Sequence, residues 1–148
     1  MTVKRADESA VPEKTRLDPV VGIRERVAEA MERELAAAQR EALRKEEELQ
    51  ASRARAAKDH RKSGDAAEWQ LVEAGHTRAL QIIRVNEQQV RTQATVVEKA
   101  RAKTQSAQMA LEVVKRAADR KRVEQVQARA KQDAKQLDQI ATLLFSHG

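Results

Sequence analysis

The sequence predicts an all-α protein, a long antiparallel two-helix coiled-coil hairpin, and three observations predict it. The first is a seven-residue repeat. Ile83, Val90, Val97, Thr104, Leu111 and Ala118 follow one another without a skip, each with a companion three residues later: Asn86, Gln93, Ala100, Ala107, Val114 and Lys121. That period puts one narrow seam on a helix, too thin for the wall of a globular core and shaped for a second helix alongside. The second is composition. A chain of 148 residues with one Trp, one Phe and no Tyr lacks the bulk of an ordinary core, whereas 35% charged residues among abundant Ala, Glu, Gln, Lys and Arg suit long helices. The third is a single run, Lys58 to Asp65, that can turn the chain back on itself.

Residues 1–17 form a flexible N-terminal arm in this reading, because charges, Ser and Pro12 follow no period there. Residues 18–148 form the hairpin. Asp18 is placed at the N-cap and Pro19 at the first helical position, where its missing N–H costs nothing. The first helix is expected over 19–62. Its apolar residues Val20, Ile23, Val27, Met31, Leu35, Ala38, Ala42 and Leu49 recur at a mean spacing nearer 3.6 than 3.5, the period of a straight helix. Ala crowds the remainder, which favours helix but buries little surface.

The turn is expected over 63–65. Lys58, Arg61 and Lys62 suit the negative end of the helix dipole, and Gly64 can adopt a left-handed cap. Asp65-Ala66-Ala67-Glu68 resembles a capping box that opens the second helix, expected over 66–145. Gly75 lies inside it and marks a place where it could break locally. After Ala118 the apolar phase slips by two residues to Val123, Ala130, Leu137 and Leu144, which predicts a local rewinding or bend. A turn centred on Gly64 sets position 19 opposite about position 109 and leaves roughly the last 35 residues unpaired, at about 1.5 Å per residue. That unpaired segment holds the most apolar seam in the chain: Val123, Val126, Leu137, Ile140, Leu143, Leu144 and Phe145. Such a seam predicts another subunit.

Charge and chemistry narrow the function. The net charge is +6, and its excess gathers at Lys115, Arg116, Arg120, Lys121 and Arg122, which favours an acidic partner surface. Glu112, Asp119 and Glu124 interleave, so the run reads as a solvated helix face and not as a nucleic-acid site. There is no Cys, hence no disulfide frame or thiolate zinc site. No apolar run approaches a membrane span, and Met1 to Arg5 lacks the core of a signal peptide, so a place inside the cell is expected. His60, His76 and His147 are scattered, and no Gly-rich phosphate loop occurs. No metal, cofactor or catalytic role is expected. Trp69 either covers the hairpin end or makes a contact at its tip, and Phe145 either frays or anchors in a partner.

The order of features resembles one family. Arg16-Leu17-Asp18-Pro19-Val20-Val21 opens an Ala/Glu-rich helix, and a mid-chain turn is followed by Trp69. A Gln/Arg-rich helix then closes with Arg122-Val123-Glu124-Gln125-Val126-Gln127-Ala128-Arg129 and Lys135-Gln136-Leu137-Asp138-Gln139-Ile140-Ala141. Over roughly residues 16–145 this resembles the FliJ family of the bacterial flagellar export apparatus and its relatives in virulence-type III secretion. The chain departs from the family pattern in having no aromatic between Ser52 and Lys58, and Gln139 where Glu is common.

The resemblance implies a non-catalytic stalk like that of rotary ATPases. The end bearing both termini would enter the hexameric type III export ATPase and promote its assembly and activity, through Val123, Val126, Leu137, Ile140 and Leu144, with Arg120 and Arg122 meeting acidic loops. The surface near the turn would meet the cytoplasmic domain of the membrane export gate through Gly75, Ala79, Ile82 and Asn86. Export chaperones would be further partners. The protein would then be cytoplasmic and reach the membrane's inner face only through partners. Two rival readings are a homodimeric scaffold joined through residues 119–145 and an injectisome stalk in place of a flagellar one.

Overall fold

The computed structural model describes residues 14–58 and 64–146. They form two helices, α1 (Asp18–Ala57) and α2 (Ala66–Ser146), packed side by side as an antiparallel hairpin. The described residues include no strand.

The helix ends follow from local chemistry. α1 opens on a box one turn earlier than the sequence reading placed it. The Thr15 backbone N–H donates to Asp18 Oδ2 (3.0 Å) and the Thr15 hydroxyl donates to Asp18 Oδ1 (2.9 Å). The Asp18 backbone N–H returns a bond to the Thr15 carbonyl (3.2 Å). Asp18 is therefore the first helical residue, and its carboxylate reaches back and does not cap forward. At the other end, Lys58 N–H is shared between the carbonyls of Ala54 and Arg55, and α1 stops at Ala57. The rest of the expected first helix and the start of the expected turn, residues 59–63, lie outside the described residues. Gly64 has φ of 158°, nearly extended, so it is no left-handed cap. Asp65 caps α2 as expected: its Oδ1 accepts the Glu68 N–H (2.9 Å) and its carbonyl the Trp69 N–H (3.0 Å). α2 runs through Gly75 without a break.

The described residues divide into two compact bodies, one within residues 28–107 and one of residues 14–27 with 108–146. In the first body the α2 seam is the one the heptads announce. Ile83, Asn86, Val90, Gln93, Val97, Ala100, Thr104 and Ala107 are all covered at least in part. The facing seam on α1 is also a heptad: Ala28, Leu35, Ala42, Leu49 and Ala56, with Met31, Ala38, Lys45 and Ser52 between them. This corrects the straight-helix period expected for α1. The large apolar residues misled the count, because small Ala and polar Lys45 and Ser52 hold much of the contact line. Ala at facing positions lets helix axes approach to about 8 Å.

Three polar side chains of α2 cross this seam. Asn86 donates to the Ser52 hydroxyl. Gln93 Nε2 donates to the Ala38 carbonyl (3.1 Å). The Thr104 hydroxyl shares its proton between the carbonyls of Met31 (3.1 Å) and its own Ala100 (2.9 Å). Polar groups in a coiled-coil seam give up stability for register, because any slip leaves them buried and unpaired. Flanking pairs, Arg53 with Glu87 (3.3 Å) and Lys103 with Glu34 (3.6 Å), are exposed and add little.

These pairings also correct the expected register. The numbers of cross-helix partners add to between 131 and 140, not to about 128 as a turn at Gly64 would require. By the Ser52–Asn86 register Ala57 stands opposite position 81, so α2 residues 66–80 run past the end of α1.

In the second body Leu111, Val114 and Ala118 continue the α2 seam, and Ala118 is 1% exposed. Val21 lies on the α1 side. The last cross-helix link is Arg122 to Asp18 at 2.8 Å, and Gln125 is the last residue of α2 that is not exposed. The unpaired segment is therefore residues 126–146, shorter than the 35 expected. Nor does the seam rewind after Ala118. Gln125 keeps the heptad phase, Arg122 takes the companion position in place of Lys121, and it is the apolar pattern that leaves the seam.

Candidate functional site

Surface depressions, such as those lined by Asp138, Gln139, Thr142 and Leu143 or by Arg78, Gln81, Ile82, Val85 and Asn86, are open grooves along a helix. Among the described residues no group of His, Cys, Asp and Glu could hold a metal ion, and no helix is long and apolar enough to cross a membrane. What the fold offers is helical surface that α1 does not cover, at each end of α2.

The C-terminal surface begins at a clasp. Arg122 donates to Asp18 Oδ1 through Nη2 and to Asp119 Oδ1 (2.7 Å) through Nη1. Asp18 is held below its usual value of 3.8 first by the Thr15 backbone N–H, then by the Thr15 hydroxyl, with the Arg122 guanidinium adding to both. Beside this pair Arg122 Nε and Gln125 Oε1, a donor and an acceptor three residues apart, are buried without a partner. The resemblance assigned Arg122 to a partner's acidic loops; here it pairs with Asp18 and Asp119 within the chain. Thr15 and Gln125 went unnoticed, although Thr15-x-x-Asp18 is a legible capping signal.

Beyond the clasp Val123, Val126, Leu137, Ile140 and Leu144 are exposed, from 54% at Val123 to 72% at Leu144. At 100° per residue they and Ala130 fall on one stripe, centred about 100° around the helix from the Ala118–Gln125 seam. The apolar face thus turns away from α1 just where α1 begins. Arg120 flanks Val123 one turn back and is exposed, and among the described residues it makes no ion pair. Lys121 pairs with Glu124 (3.7 Å) and Arg116 with Glu112 (3.2 Å), whereas no ion pair involves Arg120 or Lys115 among the described residues. Leu143 and Phe145, the latter 88% exposed, extend the apolar surface at the end of the helix.

At the other end Gly75, Ala79, Ile82 and Asn86 share one helical face at spacings of four and three. Gly75 and Ile82 are exposed, while Ala79 and Asn86 are partly covered. Asn86 is committed to Ser52, so this face is the hairpin seam carried on past the end of α1. Exposed Leu71, Leu80 and Val85 surround it, none of them singled out by the sequence reading, and Trp69 is 57% exposed.

The profile of the flagellar FliJ protein family matches residues 13–148, nearly the whole chain. No curated protein and no solved structure matches it significantly. A helical hairpin with an Ala-rich seam, read together with that match, leads to one assignment: the chain belongs to the flagellar FliJ family of coiled-coil proteins associated with type III export.

Proposed function

We propose that this protein is a non-catalytic stalk of the flagellar export apparatus. Residues 126–146 enter the ring of the hexameric export ATPase and promote its assembly and turnover. The stripe from Val123 to Leu144 supplies the apolar contact, and Arg120 meets acidic loops of the ring. Arg122 acts as the clasp that holds the start of α1 in place beneath the ring. The face of Gly75, Ala79, Ile82 and Asn86 meets the cytoplasmic domain of the export gate, and export chaperones are further partners. The protein then works in the cytoplasm, at the inner face of the membrane through those partners.

The observation that carries this reading is the uncovered stripe. Five large aliphatic side chains on one face of a helix whose own partner has ended call for an enclosing surface. Binding a ring subunit interface there stabilises the assembled ring by its differential affinity for it. The test adds the protein to the purified export ATPase, as the full chain and truncated after Ala128. The cut leaves the clasp and seam intact, so the circular dichroism of the remaining hairpin stays helical. The full chain should raise hexamer formation and ATP turnover and the truncated one should not. Equal stimulation by both would remove the stripe from the mechanism.

A further inference from the structure

We infer that the C-terminal stripe is self-complementary, and that the free protein pairs with a second copy through an antiparallel coiled coil of residues 123–140. The pattern reads Val123, Val126, Ala130, Asp133, Leu137, Ile140, with steps of three, four, three, four and three. Those steps are the same in either direction. Two copies laid antiparallel so that partner numbers add to 263 set Val123 against Ile140, Val126 against Leu137 and Ala130 against Asp133, then the same pairs in reverse.

Asp133 selects this arrangement. It sits in the middle of the stripe at a core position. A parallel in-register dimer would press the two Asp133 carboxylates together, which like charges oppose. An antiparallel shift by one heptad would set Asp133 against Leu137. Only the arrangement above gives it Ala130, the one small residue of the stripe, and so leaves room for water or a cation. Arg129 precedes Ala130 and brings each copy's guanidinium beside the other's carboxylate. Beyond Ile140 the next layer would set Leu144 against Asp119, which ends the overlap.

The clasp permits this pairing. Because the stripe lies about 100° from the seam, a second helix can run past Arg122 without displacing α1. The antiparallel pair covers the surface assigned above to the ATPase ring, so self-pairing and ring entry exclude one another. The pairing itself does not depend on that assignment.

The chain has no Cys, so single substitutions report pairing without background. Val126→Cys and Leu137→Cys are prepared separately, then mixed at micromolar concentration under mild oxidation. A disulfide-linked heterodimer that forms only on mixing is the expected result. Self-linking of each variant alone would show a parallel pair and overturn the inference, as would no linkage together with a monomer by sedimentation across the same range. Asp133→Leu should tighten self-association at least tenfold and Leu137→Asp should abolish it. Both positions are exposed in the single chain, so neither change should alter hairpin melting. Unchanged self-association in both variants would also overturn the inference.

Discussion

Thr15, Asp18 and Arg122 carry the junction where α1 begins. Thr15 closes the helix end, Asp18 completes the box, and Arg122 ties that end to α2. Thr15→Ala should cost about 1 kcal/mol in chemical denaturation, the usual loss for a helix cap. Because Asp18 is held below 3.8, it stabilises the folded state above that pH, and its contribution falls away as pH drops through the lower folded value. A carbon-detected titration should therefore find the Asp18 midpoint under 3.8, with the first turn of α1 fraying only at more acid pH. In Arg122→Ala the midpoint should rise yet stay below 3.8, because the Thr15 bonds are the larger cause.

At the scale of the element, the two helices differ in how they are held. α2 contains Gly75 at an exposed interior position where an added Cβ meets no neighbour within 4 Å. Gly75→Ala should stabilise the hairpin by about 1 kcal/mol in urea unfolding, through backbone entropy alone. Ala118→Leu should act in the opposite sense. Ala118 is sealed in the seam, and a larger side chain would push the helices apart at a cost of about 1–3 kcal/mol.

The same contrast explains what the sequence made legible. The α2 seam could be read because Ile83, Val90, Val97 and Leu111 are large and regularly spaced, and so could the Asp65 cap. The α1 seam could not, since Ala28, Ala38 and Ser52 mark it only by being small. Register escaped for a different reason. It is held by Asn86, Gln93 and Thr104 reaching across, which hydrophobic period does not show. The candidate stripe was legible as a run of apolar residues, but its rotation away from the seam depends on Gln125 keeping a phase that Val123 abandons.

For the molecule as a whole, stability is spread along the chain in small amounts. Two helices touching through Ala and a few Leu and Val cannot concentrate a core anywhere, so local opening should vary by segment. Amide exchange should be slowest over 86–118, where α2 is covered on one side, and fastest over 130–146 and 66–71. Uniform protection along α2 would contradict that distribution. The turn of the greasy face at Arg122 has one further outcome. Folding and recognition use different sides of one α-helix, so natural selection can retune what this tail grips without loosening how the hairpin holds itself together. Variation at Val126 or Leu137 should be policed by the company the protein keeps, and variation at Ala118 by the protein's own need to stay folded.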